Sequence, residues 1–224
     1  MISIEKIDFI IKWIKNYTNT IKTQPVSLVI GVSGGVDSAL TSTLCAHTGL
    51  NTIAISMPIK QNSSQHELSL RHLEFLKKNF DNVDTRVIKL DEIFKTFEST
   101  MKDYDSELAF ANSRSRLRMV TLYQVAQSNN GIVVGTGNKV EDFGVGFYTK
   151  YGDGGVDISP IADCNKSQVW ELGRHLGVSE EIINAQPTDG LWDDGRNDVE
   201  QLGMSYADLE KAMENKDDPN YQKY

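Results

Sequence analysis

The sequence predicts an α/β domain: one parallel sheet with helices on both faces, Rossmann-like in arrangement. Three observations carry that expectation. Short apolar runs alternate with segments of helical periodicity from residue 26 to residue 135, the pattern of a sheet wrapped by crossover helices. The first run, Val26 to Val32, stops in the paired-glycine turn Ser33-Gly34-Gly35 and is followed directly by a helical pattern. A chain of 224 residues with 39% hydrophobic content buries one good core rather than two. A single domain over 1–224 is therefore expected, with the acidic, proline-containing stretch 215–224 loosely ordered.

The elements follow in order. Ile4, Ile7, Ile11 and Ile14 recur at helical spacing and predict an opening amphipathic helix that ends where 16–25 breaks the pattern. A strand over 26–32 leads to a helix over 38–47, then a strand over 52–57 and a helix over about 65–79. A strand over 83–90, helices over about 91–101 and 107–128, and a strand over 131–135 complete the sheet. Right-handed crossovers place the loops after Val32, Met57, Leu90 and Gly135 on one edge, where open α/β sheets bind ligands.

Charge and composition exclude several function classes. A net charge of −8 argues against a nucleic-acid surface, which needs a basic patch to replace phosphate counterions. Apolar runs fall short of the ~20 residues of a membrane span, and the N-terminus lacks the pattern of an export signal, so a cytoplasmic protein is expected. Cys45 and Cys164 are far apart and read as free structural thiols. His47, His66, His72 and His175 show no paired ligand spacing, which disfavours zinc.

The turn after the first strand carries chemistry. Adjacent glycines permit a tight turn, and amide hydrogens there and at a helix N-terminus form a concave donor set suited to phosphate. The segment has neither a GxxxxGKS nor a GxxxxGKT pattern and no lysine. A helix terminus contributes only about 0.3–2 kcal/mol per neighbouring charge, so a triphosphate needs further positive charge. Asp37 inside the turn makes sense as a ligand of a divalent cation, magnesium, that bridges to phosphate oxygens. Its alternative role is to cap the helix together with Ser38.

A second cluster follows the strand Ile132-Val133-Val134. Residues 135–157 hold Glu141, Asp142, Asp153, Asp157, Lys139, Lys150 and many glycines, a composition and length that suit a binding loop or lid. Glu141 and Asp37, each shortly after a strand of one sheet, are expected to meet at one magnesium ion. Lys150 and Lys166 are candidates for the missing positive charge, with solvent-facing lysines the alternative. On the helix over 107–128, Asn112, Arg116, Met119, Tyr123 and Ala126 share a face. Arg116 there needs a partner: a subunit interface, a ligand anion or a structural carboxylate. Arg114 and Arg118 lie on a different face and read as solvated or structural charges.

The segment SGGVDS resembles the loop of enzymes that split ATP into AMP and pyrophosphate. With GTGNKVED, FYTKYGDGGVDISPIADCNKSQVWEL, PTDGLW and EQLGMSY in that order, nearly the whole chain resembles the ammonia-dependent NAD synthetases. The resemblance implies a homodimer of adenine nucleotide α-hydrolase-like fold that converts nicotinic acid adenine dinucleotide to NAD with ATP, magnesium and ammonia. By that pattern Gly31, Ser33, Gly34, Gly35, Val36, Asp37 and Ser38 hold ATP phosphates, and Thr136, Lys166 and Thr188 complete the ATP site. Asp37 and Glu141 take the metal, and Arg116, Lys150 and Asp157 contact the dinucleotide, Arg116 in its own or the neighbouring subunit's site. Asp153 is the candidate for handling the ammonia proton, with Lys166 as the catalytic cation. Family members end in a basic His-Lys segment that helps cover the dinucleotide; residues 220–224 hold nothing equivalent, a departure that bears on dinucleotide affinity and lid closure. Two other functions remain open: a related ATP pyrophosphatase with another substrate, and a nucleotide-binding homologue without turnover.

Overall fold

Val26 to Ile30 and Val32 are all buried, and this run forms the central strand β1 (Ser27–Gly31). It pairs in parallel on both sides, with β2 (Thr52–Ser56) through Leu28 opposite Thr52 and with β4 (Gly131–Val134) through Leu28 opposite Ile132. β3 (Val83–Val87) adds beyond β2, giving the order β3-β2-β1-β4. A strand covered on both faces is apolar throughout; β3, at the edge, tolerates Asp84 and Arg86. The computed structural model describes residues 3–61, 63–188, 190, 191 and 197–221. Asp189 and Trp192 of the PTDGLW segment, and residues 222–224 of the expected loose tail, lie outside the described residues.

Helices cover both faces. Along β1 the side chains alternate: Leu28, Ile30 and Val32 join the cluster under α1 (Ser3–Asn19), α2 (Val36–His47), α3 (Ser63–Asn79), α6 (Lys166–His175) and α7 (Glu180–Ile183). Val29 faces the other way, with Ile53, Ile55 and Val133, toward α4 (Asp91–Thr100) and α5 (Glu107–Ser128). Each fully buried aliphatic side chain in these layers contributes about 1.5–3 kcal/mol. A third, smaller cluster packs Val140 against Tyr206 and Leu209 of α9 (Tyr206–Glu214), beyond the short α8 (Asp198–Leu202). Cys45 and Cys164 are both buried and unbridged.

The topology fixes the ligand edge. The chain leaves β1 toward β2 and β3 on one side and returns to β4 on the other. Strand order therefore reverses between β1 and β4, and the crevice beyond their carboxyl ends is where an open α/β sheet takes a ligand.

The opening helix differs in detail from its expected form. Its buried stripe is Ile7, Ile10 and Ile14, while Ile4 is 60% exposed in the first turn; the helix also runs on to Asn19. Tertiary packing of Ile14 and Thr18 keeps the last turn helical past Asn16. β3 ends at Val87 rather than at 90, because Leu90 is the residue before α4 and its carbonyl accepts from Phe94 N. The glycine-rich stretch after β4 is not plain loop. Lys139–Val145 forms a π-helical turn, with Asn138 Oδ1 accepting from Val140 N and Glu141 N, both at 3.0 Å.

Candidate active site

At the end of β1 the backbone turns under the first residues of α3. Gly34 has φ +98°, and a Cβ there would lie 2.4 Å from the Gln65 carbonyl oxygen, so both conformation and space require glycine. Ser33 and Ser38 lace the turn: Ser38 Oγ donates to Gly35 O at 2.9 Å and accepts from Ser33 N at 3.1 Å. The helix cap is Gly35, with φ −86° and ψ 160°, not Asp37 or Ser38. The first-turn amides of α2 have no intrahelical acceptor and the positive end of the helix opens onto the crevice. Such a donor set suits an anion.

Asp37 is thereby released from capping. Its Oδ2 accepts from Lys166 Nζ at 2.6 Å and its Oδ1 from Asn138 Nδ2 at 3.0 Å. Glu141 Oε1 accepts from the same ammonium at 2.8 Å. Lys166 is 2% exposed and stands at the first position of α6, the end of a helix dipole that disfavours a cation. Burial also opposes its charge, yet the two carboxylates outweigh this and hold its ammonium above the ordinary lysine range. Two acids sharing one cation diverge. Burial, offset in part by Lys166 and reinforced by Glu141, pushes Asp37 up. Glu141 overcomes its burial through Lys166, Tyr206 and Asn138 and lies below its usual range. Asp142, next in the chain, is pushed up to about 7 by burial and by the charges of Asp153, Glu141 and Asp37.

The 149–157 stretch is docked on α5. Thr149 Oγ1 donates to Asn112 Oδ1 at 2.6 Å, and Asp153 Oδ1 accepts from Ser115 Oγ at 2.7 Å and Thr149 N at 2.9 Å. Arg116 Nε donates to Lys150 O at 3.1 Å, and Tyr123 donates to Asp157 Oδ1 at 3.2 Å. The helix face named from periodicity is thus the face that carries this segment. Its partners are the segment's backbone, the Thr149 hydroxyl and the Asp157 carboxylate.

Together these parts enclose a cavity of about 520 Å³, within the usual size of a small-molecule site. Its wall includes Gly31, the Ser33–Ser38 turn, Thr136, Glu141, Asp142, Asp153, Lys166 and Thr188. Arg116, Lys150 and Asp157 are not part of that wall. Arg116 and Lys150 are exposed, and Asp157 accepts from Val133 N at 2.7 Å at the sheet edge. Arg114 and Arg118, read as solvated or structural charges, both hold backbone carbonyls. Arg114 is 6% exposed and donates to Leu191 O at 2.9 Å, while Arg118 lines the cavity and donates to Met57 O at 3.0 Å. Periodicity sorted these residues onto faces, but it carries no information on which face meets the crevice. Sequence reasoning also missed Asn138, Ser115 and Tyr206. Asn138 and Tyr206 had a signal, as members of GTGNKVED and EQLGMSY, whereas Ser115 had none.

A model of the NAD synthase family matches residues 6–223. An NH(3)-dependent NAD(+) synthetase of Carboxydothermus hydrogenoformans is 36% identical over 217 residues, covering 93% of this chain and 84% of the relative. Among solved structures, the NMN synthetase of Francisella tularensis superposes with a TM-score of 0.87 at 32% identity, over 96% of this chain and 87% of that one. The NH3-dependent NAD synthetase of Campylobacter jejuni gives 0.76 at 26% identity, over 100% and 88%.

Proposed function

The chain belongs to the NAD synthase family, and from that premise we propose that it uses ATP and ammonia to amidate the nicotinate carboxylate of nicotinic acid adenine dinucleotide, releasing NAD, AMP and pyrophosphate. The observation that carries this reading is the convergence, in one cavity at the β1/β4 reversal, of an amide seat for phosphate with the Asp37–Lys166–Glu141 cluster.

In the first step a nicotinate carboxylate oxygen attacks the α-phosphorus, the bond to the bridging oxygen breaks, and acyl-adenylate and pyrophosphate form. The Ser33–Ser38 turn orients the phosphates, and Thr136 and Thr188 line the same cavity. In the second step ammonia attacks the acyl carbon, AMP departs and a proton is left over. Asp153, whose carboxylate is oriented by Ser115 and Thr149, is assigned as its acceptor. Lys166 supplies positive charge beside the phosphate seat.

The donor set also suits magnesium. Asp37 and Glu141 already converge on one cation, the Lys166 ammonium, which stands where a divalent ion has use for two carboxylates. Among the described residues no group of three or more His, Cys, Asp or Glu is arranged to hold an ion, which fits an ion shared with phosphate oxygens. When bound, such an ion neutralises charge on the departing pyrophosphate. Arg116 and Lys150, exposed beside the cavity, are assigned to dinucleotide contact across a homodimer interface. Exposed apolar side chains on α4 and α5, among them Ile93, Phe97, Leu108 and Val120, support such an interface. A cytoplasmic setting suits a reaction that consumes ATP.

A second reading takes nicotinic acid mononucleotide as the acceptor. It is favoured by the higher TM-score and identity to the Francisella tularensis NMN synthetase and by the position of Arg116, Lys150 and Asp157 outside the cavity wall. One experiment tests both. The protein is mixed with ATP, magnesium, ammonium and either the dinucleotide or the mononucleotide, and AMP and amide are quantified. Equimolar AMP and NAD support the main reading, amide from the mononucleotide alone supports the second, and absence of both products from both arms overturns the enzyme.

A further inference from the structure

The EQLGMSY segment ends on a residue that reaches the carboxylate cluster from the far end of the chain. Asn197 caps α8, Gly203 closes it with φ +69°, and Ser205 caps α9. These local devices bring Asp198 and Tyr206, both 4% exposed, face to face. The Tyr206 hydroxyl lies 2.5 Å from Glu141 Oε1 and 2.8 Å from Asp198 Oδ2. Its ring faces the Lys166 ammonium at 4.9 Å and meets Trp170 edge-on at 6.0 Å.

A phenol has one proton to donate and here two carboxylates to receive it. Glu141 thus shares one oxygen between the ammonium and the hydroxyl. If the ammonium is exchanged for a metal ion, the hydroxyl remains, together with Asn138, to hold the carboxylate in orientation. Hydrogen bonds of this kind fix how a ligand is presented, and losing them usually weakens metal affinity about 10–100-fold.

We propose that Tyr206 is a positioning residue for the cation of the reaction, holding Glu141 in place, and that Asp198 tunes this hold by competing for the same proton. The inference rests on the assignment of Glu141 as a cation ligand. It gives the C-terminal helix pair a task in the site and makes a contact on α9 matter for ATP use without any contact to substrate.

The test is a thermal-melt titration with magnesium of protein saturated with α,β-methylene ATP, which cannot be cleaved to pyrophosphate. The readout is the magnesium concentration at half the rise in Tm. Tyr206→Phe keeps the ring against Lys166 and Trp170 and is expected to raise that concentration about 10-fold. Asp198→Asn is expected to shift it at least two-fold in the wild-type background and to add nothing in the Tyr206→Phe background. A Tyr206→Phe protein with lowered Tm but a midpoint within two-fold of wild type overturns the inference, as does an Asp198→Asn effect that persists without the hydroxyl. Should Tyr206→Phe not fold, an Asp198→Asn midpoint equal to wild type overturns it. If the wild-type protein shows no magnesium-dependent rise, the cation assignment itself falls and takes this inference with it.

Discussion

The turn after β1 and the acid–lysine cluster face each other across one cavity but are assembled in opposite ways. The turn is one stretch of eight residues, Gly31 to Ser38, held by its own serines and by a glycine that nothing else replaces. The cluster draws Asp37 from that turn, Asn138 and Glu141 from the segment after β4, Lys166 from the start of α6 and Tyr206 from α9. The first is a backbone device, insensitive to charge elsewhere. The second is an electrostatic device in which each buried charge is tolerable only because the others are present. Local sequence can specify the former, whereas the latter exists only once the sheet and its crossovers are in place.

The largest effect expected separates the two. Lys166→Met strands two carboxylates beside each other and should lower stability by about 3–5 kcal/mol, read by urea unfolding, with synthesis lost. Magnesium should restore more stability to this variant than to wild type. A loss under about 1 kcal/mol would mean the cluster is no more than an exposed pair and would break the comparison.

Acid probes the packing behind the turn. His72 of α3 is buried against Ser42 of α2, with Ser42 Oγ 2.9 Å from Nε2. Burial, partly opposed by a backbone hydrogen bond to Ala39, pushes its pKa down from 6.5 to about 4. The folded state therefore keeps it neutral. Its protonation penalty is absent above the unfolded value near 6.5, grows as pH falls, and levels off near pH 4. The full loss is about 3 kcal/mol. Unfolding measured between pH 7 and pH 4 should show it, and His72→Gln should flatten the slope.

Gly34→Ala tests the backbone device alone. The positive φ and the Gln65 carbonyl predict a loss of about 1–3 kcal/mol together with a raised KM for ATP. The magnesium midpoint should change less than in Tyr206→Phe, and an equal change would show that turn and cluster are one unit.

The smallest effect expected is at the docked segment. Ser115→Ala removes two hydrogen bonds with Asp153, at 2.7 and 2.9 Å, and should lower stability by about 1 kcal/mol. Amide formation should slow more than pyrophosphate release, measured in single turnover. Equal slowing of both would remove Asp153 from the second step.

Much of the fold was legible because it rests on periodicity. The strands at β1, β2 and β4 and the helices α3, α4 and α5 fall within two or three residues of where their apolar spacing puts them. The misses have local physical causes: Ile10 joins Ile7, Ile14 and the half-buried Ile11 on the core side of α1 while Ile4 is exposed in its first turn, and Leu90 serves the start of α4 rather than the end of β3. The π-helical turn at Lys139–Val145 had no periodic signal, since it depends on Asn138 capping it and on Val140 packing against Tyr206 and Leu209.

The site divides in the same way. Glycine needs at a turn and amides at a helix start are properties of a few neighbouring residues, so the turn from Gly31 to Ser38 could be read directly. Lys166 and Arg116 were both singled out as cations, yet burial and two carboxylates make Lys166 central while Arg116 holds the backbone of Lys150 at the surface. Nothing in the order of residues states which of two charged side chains will be desolvated. Chain order by itself determined the strands, the helices and the turn after β1, because those depend on residues close in sequence. Only the tertiary structure decided which charges neutralise one another, because Coulomb energy and desolvation depend on distance and burial in space.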